Sequence, residues 1–371
     1  MVTPVLEAAI AARAPVIDAA HETAFRLLNG FSEGLPALAL DVYQRCVVLH
    51  DYTPGGDAGL TAQALATARA QLPWLTSAVV KVRDGAPAAR NGRVVFGAPG
   101  DLPRTVLENG VWYSLQLTHN RDASLYLDTR NLRLWAKESL RGKRVLNTFA
   151  HTGSLGVAAR AAPSAQVITT DANRHVLAIA EASFALNGFN VSPRDFRAGD
   201  FFEIVARFKR EQALFDCVFL DPPVYARGDR GLVDLQVGMG ALINKVRPLV
   251  GHGGALVLVN NAVFVSGAEY TALLDSLCEG GYLTLEKRVD VPPDCTGYVR
   301  VGVPPADPAP FNHSTKIAIL RATRKDGRRA DAKRRPGTAA DHARGGASCR
   351  FGGQLTIPSG ATGLRTAHSP Y

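Results

Sequence analysis

The sequence predicts an α/β protein in which a doubly wound sheet follows a smaller mixed domain and precedes a disordered tail. Three observations carry this. From about residue 131 to 322, apolar β-branched runs alternate with amphipathic segments, and parallel strands need helical crossovers of that kind. From about 35 to 118 the runs are shorter and separated by Gly, Pro, Asp and Asn, the composition of strands and turns. After about 323 apolar periodicity stops, and Arg, Gly, Ala, Pro and Ser dominate.

Along the chain, MVTPVLEAAIAARAPVIDAAHETAFRLL breaks its apolar positions with Glu7, Arg13, Asp18 and Glu22 and reads as an amphipathic helix rather than a signal peptide. ALALDVY, CVVLHDY, AVVKVR, RVVFG and VWYSLQL read as strands, with AGLTAQALATARAQL a helix among them. These make a first domain over 1–118. NLRLWAKESL is then a helix, KRVLNTFA a buried strand, GSLGVAARAA a helix, AQVITTDAN a strand and HVLAIAEASFALNG a helix closed by Gly. FDCVFLDPP, GALVLVNNA, YLTLEKRVD and TKIAILRATR supply further strands, so the second domain spans 119–323 and the tail 324–371.

Composition excludes several classes. With 46% hydrophobic and 20% charged residues the chain is neither collagen-like nor wholly disordered. No run approaches the roughly 18 apolar residues a membrane span needs, so no membrane association is expected. The net charge of +9 is concentrated: residues 321–371 hold 11 Lys/Arg and 3 Asp/Glu, which leaves 31 against 30 before them. Such a tail is expected to contact RNA by neutralising phosphates, the alternative being a solvated extension with no partner. Five cysteines, widely spaced and without CxxC, encode neither a disulfide framework nor a zinc cluster, so no metal and a cytoplasmic location are expected.

In doubly wound sheets ligands sit outside the carboxyl ends of the strands. After KRVLNTFA comes Asn147-Thr148-Phe149-Ala150-His151-Thr152-Gly153-Ser154, which is not GxGxxG, and no GxxxxGK[ST] occurs. Asp171, 18 residues beyond Gly153, is placed to accept from a ribose diol. Asp200 beside Phe201 suits an exocyclic amine with a ring over a base. Asp221-Pro222-Pro223-Val224-Tyr225 is a rigid, acceptor-rich turn, because each proline fixes φ and restricts the residue before it. Tyr225 can stack on a flat substrate. Asp171 and Asp200 also read as helix caps, His151 as a general base or a packing residue, and Arg130 and Arg133 as a solvated helix face. Cys295, in PPDCTGY, reads as a surface-loop thiol, and the prolines from Pro292 to Pro310 as a rigid rim loop.

The segment 121–229 resembles the class I S-adenosylmethionine-dependent methyltransferases, and among them the bacterial 23S ribosomal RNA group that includes cytosine-C5 enzymes. Ser124-Leu125-Tyr126-Leu127-Asp128-Thr129-Arg130-Asn131, Asn147 to Ala158, Asp171, Gly199-Asp200 and Asp221 to Tyr225 carry the likeness in order, and LLNGFSEGLPALALDVY extends it upstream. The resemblance implies a seven-stranded Rossmann-like domain binding S-adenosyl-L-methionine. Asn147, Phe149, Thr152 and Gly153 then line the methionine side, Asp171 holds the ribose, Asp200 and Phe201 the adenine, and Arg130 the cofactor carboxylate. Asp221, Pro222 and Tyr225 face the substrate, a base of large-subunit ribosomal RNA. The chain departs from that group in Thr129 and His151, and it is expected to lack the RNA-binding module that precedes this segment there. It also has Leu258-Val259-Asn260-Asn261-Ala262 where the cytosine-C5 enzymes carry their attacking cysteine. Without a thiolate, covalent activation of C5 is lost and direct methylation of a base nitrogen is expected. A protein or small-molecule substrate, or a non-catalytic assembly factor, are the alternatives; the oligomeric state is not encoded.

Overall fold

The computed structural model describes residues 2–119, 122–228, 231–235 and 238–331. Residues 1–336 belong to one compact unit, and the separate unit 337–371 lies outside the described residues.

Helix α1 (Val2–Arg13) stops where Ala14-Pro15-Val16 turns into a 3-10 segment, since Pro15 has no N–H to continue the ladder. The single helix expected over the first 28 residues is therefore corrected. AFRLLN forms strand β1 (Ala24–Asn29), which buries Phe25, Leu27 and Leu28. A short turn α2 (Gly30–Glu33) follows, where a Cβ on Gly30 would lie 2.0 Å from the carbonyl oxygens of Leu35 and Leu38. Strands β2 (Leu38–Tyr43) and β3 (Cys46–Asp51), helix α3 (Ala58–Gln71), strand β4 (Ser77–Val82), turn α4 (Pro87–Asn91) and strand β5 (Arg93–Phe96) complete a five-stranded sheet in the order β1-β2-β3-β4-β5. Only β3 and β4 are parallel, and α3 is their crossover. Asp57 caps α3 by accepting from Leu60 N–H.

The hairpin β6 (Thr105–Glu108) and β7 (Val111–Ser114) turns toward the second sheet. Trp112 and Ser114 N–H donate to Asn187 Oδ1 and Ser183 Oγ, each at 2.9 Å.

The strand and helix alternation read from the sequence is present. Helix α5 (Arg130–Ser139) leads to β8 (Arg144–Thr148), α6 (Ser154–Ala161), β9 (Gln166–Asp171), α7 (Arg174–Leu186), β10 (Phe196–Ala198), α8 (Phe201–Arg210) and β11 (Phe215–Leu220). A small hairpin β12 (Tyr225–Gly228) and β13 (Gly231–Asp234) precedes α9 (Met239–Val246), β14 (Val250–Asn260), α10 (Gly267–Cys278), β15 (Leu283–Val289), the turn α11 (Pro293–Thr296) and β16 (Lys316–Ala322). The seven-stranded sheet has the order β10-β9-β8-β11-β14-β16-β15, with β16 antiparallel to both neighbours. Successive residues of a strand face opposite sides. Val145, Val167, Phe219, Val257 and Ile317 thus enter one core cluster, while Leu146, Ile168, Val218, Leu256 and Leu320 enter the other.

The basic segment was expected to be disordered from residue 324. Residues 324–331 instead lie along the sheet: His252 N–H donates to the Arg328 carbonyl at 2.7 Å, and Arg144 Nη1 to the Asp331 carbonyl at 3.0 Å. Backbone pairing to these two anchors outweighs the polar composition there. The rest of the tail falls outside the described residues. Among the described residues no helix is long and apolar enough to cross a membrane.

Candidate active site

The carboxyl ends of β8, β9, β11 and β14 open onto one pocket. Its first wall is the loop after β8, which turns sharply because Phe149 (φ 51°), His151 (φ 51°) and Gly153 (φ 73°) all adopt left-handed backbone. Non-glycine residues in that region cost about 1–3 kcal/mol each and persist only where neighbours hold them. The neighbours are visible. Ala150 N–H donates to the Thr170 carbonyl at 3.0 Å, and His151 N–H to Asp171 Oδ2 at 2.8 Å. At Gly153 a Cβ would come within 2.5 Å of the Ala180 Cβ, so α7 can approach only a glycine.

Asn147, Phe149, Thr152, Asp171 and Phe201 line the pocket as expected from their positions after the strands. Phe149 stacks on Phe201 with ring centres 4.4 Å apart. Thr152 donates its hydroxyl to the Ser124 carbonyl, which ties the loop to the segment before α5. Asp171 spends one oxygen on His151 N–H and the other on Asn173 N–H at 2.9 Å, and each carboxylate oxygen retains a second lone pair. Asp200 caps α8, its Oδ1 accepting from Phe202 and Glu203 N–H, and its flanking residues Gly199 and Phe201 form the wall.

Four expected residues do not line the pocket themselves: Gly153 and Asp200 stand between residues that do, while Arg130 and Tyr225 sit elsewhere. The Arg130 guanidinium is taken up by Asp294, at 2.9 and 3.0 Å, and by the Ala24 carbonyl at 2.9 Å, so it joins the two sheets instead of lining the pocket. Neither Arg130 nor Arg133 is on a solvated face, for Arg133 is buried in a two-pronged pair with Glu108 at 2.7 Å. Tyr225 projects outward from β12, 61% exposed, while Pro222, Pro223 and Ala226 around it form the pocket edge.

Asp221 stands on the pocket wall after β11. Burial pushes its carboxyl up to about 7, the negative charge of Asp128 adds to the rise, and Arg133 opposes it. Asp128, Thr315, Tyr126 and Asn261 also line the pocket and carry no role in the sequence reading. Asp128 accepts from the Thr315 hydroxyl at 2.8 Å, a contact across 187 residues that nothing local announces. Several polar atoms facing this space are buried without a partner: Asn147 Nδ2 and Oδ1, both ring nitrogens of His151, and Asn261 Oδ1.

Among the described residues no cysteine lines the pocket. The expected surface position of Cys295 is corrected: it is fully buried in α11, beneath the junction with β1, and burial pushes its thiol well above the ordinary range. No group of three or more His, Cys, Asp or Glu able to hold a metal occurs among the described residues.

Comparison with known proteins follows the same lines. Residues 86–302, more than half of the chain, match the S-adenosylmethionine-dependent methyltransferase family. The chain belongs to that family. It is 29% identical over 240 residues to the ribosomal RNA large subunit methyltransferase I of Serratia proteamaculans, covering 63% of this chain and 59% of that one. Identity to the protein of the same name from Aeromonas salmonicida is 28% over 247 residues, 66% of this chain and 62% of that one. The match thus spans about three fifths of these relatives. In fold, the crystal structure of SMU.776 complexed with SAH superposes with a TM-score of 0.75 at 20% identity, over 86% of this chain and 81% of that one. A SAM-dependent methyltransferase from Agrobacterium tumefaciens gives 0.56 at 18% identity, over 78% and 88%. The pocket of this methyltransferase-family chain fits S-adenosylmethionine chemically. A buried amide with both atoms unpartnered, a carboxylate at the end of β9 and the apolar Phe201 ring are the complements of an amino-acid moiety, a ribose diol and an adenine.

Proposed function

We propose that the protein methylates a base nitrogen of large-subunit ribosomal RNA, in the cytoplasm, by direct transfer from S-adenosylmethionine. The observation that carries this reading is the sharing of one pocket by the Asn147–Asp171 wall and the Asp221-Pro222-Pro223 turn, with no thiol between them among the described residues. The division into a β-rich domain over 1–118 and a catalytic domain over 119–323 belongs to the same reading.

Asn147, Phe149, Thr152 and Gly153 face the methionine side, Asp171 accepts from the ribose, and Phe201 covers the adenine with Asp200 fixing its helix. When bound, the cofactor supplies an already activated methyl group, so the chain's task is alignment and exclusion of water. Asp221 accepts the N–H of the target base and takes its proton at the carboxylate, for which a carboxyl near neutrality is well poised. The Pro222 carbonyl offers a second acceptor, and the exposed Tyr225 ring stacks on the base. The large-subunit relatives support RNA as the substrate; the near-neutral body before residue 321 favours a second reading, a protein or small-molecule acceptor.

The test is transfer of labelled methyl from S-adenosylmethionine into total RNA and total protein of cells lacking the gene, with Asp221→Ala as control. Label in large-subunit RNA that is lost in the variant supports the proposal, and nucleoside analysis names the atom. Label in protein alone, or in neither pool, sinks it.

A further inference from the structure

The pocket does not end at its own rim. From His151 the ring of Tyr126 lies 5.3 Å away, and the Tyr126 hydroxyl donates to Asp122 at 2.9 Å. Arg83, in the turn after β4, reaches Asp122 at 3.5 Å and holds its guanidinium 5.6 Å from the centre of the Tyr52 ring. Tyr52 in turn meets Phe31 edge to face at 4.6 Å. Tyr126, Tyr52 and Phe31 are 43%, 38% and 48% exposed, whereas Phe25 and Tyr43, in the strands of the first sheet, are buried. An edge-to-face pair leaves ring faces uncovered, and the neighbouring segment adds exposed Val299 and Val301, seated by Val301 N–H on the Ser32 carbonyl at 2.8 Å.

Single exposed rings need no explanation, but a contiguous line of them leading into a pocket does. The geometry points to a stacking track for single-stranded RNA, running from the pocket past Tyr126, Arg83 and Tyr52 to Phe31 and holding the nucleotides that flank the target base. This deepens, and rests on, the RNA reading above. The chemistry favours a nucleic acid over a peptide because the line alternates rings with a guanidinium, both of which stack on bases. It favours single strands because bases in a duplex present no faces. The body before residue 321 is almost neutral, so stacking and not phosphate neutralisation supplies the hold there.

The experiment uses the full chain and a fluorescent, mixed-sequence single-stranded RNA dodecamer read by anisotropy. Phe31→Ala and Tyr52→Ala each weaken binding about 5- to 150-fold, the range for losing one stacked base, and leave its salt dependence unchanged. Tyr52→Phe keeps the affinity, as does Leu186→Ala, an exposed apolar position on α7 outside the track. S-adenosylhomocysteine titrated by calorimetry binds all variants alike, which verifies their fold. Wild-type affinity in both alanine variants overturns the track, as does failure of the wild type to bind the dodecamer. A wild-type dimer that Phe31→Ala dissociates overturns it too, assigning the patch to a protein contact. The two proposals fail separately: RNA methylation at full rate in both alanine variants sinks only the track, and absence of RNA methylation by the wild type sinks the function.

Discussion

Two sets of buried polar groups in this molecule behave in opposite ways. Where the two sheets meet, charges are matched. Arg13 forks onto Glu33 at 2.8 Å on both nitrogens and also donates to the Asp294 carbonyl, Arg130 takes Asp294, and Arg133 takes Glu108. In the pocket, Asn147, His151 and Asn261 are buried with polar atoms unsatisfied. A buried polar atom without a partner is costly, so several of them on one cavity wall invite a ligand that completes them, whereas a matched pair is scaffold. Unpartnered atoms also occur away from the pocket, as at Ser77 and Tyr270, so it is their gathering on one pocket wall that sets Asn147, His151 and Asn261 apart; Arg130, expected at the cofactor, belongs to the scaffold.

The comparison can be broken from either side. The largest effect is expected for Arg13→Ala, which strands Glu33 in the interior and costs about 3–5 kcal/mol of folding stability in denaturant titration; the affinity of the folded fraction for S-adenosylhomocysteine stays as it was. Equal loss of affinity would make the interface part of the site. Next, Gly153→Ala brings a Cβ against Ala180 and a side chain into left-handed backbone, for about 1–3 kcal/mol of destabilisation, with cofactor binding weakened as the loop shifts. Asn147→Ala reverses the pattern. Thermal unfolding changes little, because no protein hydrogen bond is lost, while calorimetric affinity for S-adenosylhomocysteine falls roughly tenfold, the worth of about one hydrogen bond.

The smallest effect concerns pH. With Asp221 as the proposed proton acceptor, its carboxyl is protonated below about 7 and cannot accept, so the methyl-transfer rate is expected to rise with pH through that region. Asp128→Asn removes the like charge, makes ionisation easier and moves the acid limb to lower pH; a limb that stays in place would assign it to another group. Stability carries the same sign. Between the ordinary value of 3.8 and about 7 the folded state holds a proton the unfolded chain has released, so this group favours folding at acid pH and its contribution declines as pH rises. Asp221→Asn therefore gains stability over the wild type at pH 8 and not at pH 3.

Much of the catalytic region was legible because its determinants are local. Gly153 and Asp171 sit where a strand, a tight turn and a helix dictate, and Asp221-Pro222-Pro223 stiffens itself. What stayed hidden depends on long-range contact. AFRLLN has helical composition but becomes β1 because β2 offers a ladder to pair with. Cys295 is buried by α11 meeting β1, and Arg130 finds Asp294 across 164 residues. The Thr315 hydroxyl on Asp128 is of the same kind.

The position of β16 governs how the chain can be completed during synthesis. Among the described residues it is the last strand to emerge, yet it lies between β14 and β15 and is not an edge, so a nascent chain carries β15 without its neighbour until residues 316–322 leave the exit tunnel. The Thr315 contact to Asp128 arrives at the same moment. A growing polypeptide can thus form the turns after β8 and β9 before β16 closes the sheet, and the Thr315 side of the pocket is completed last.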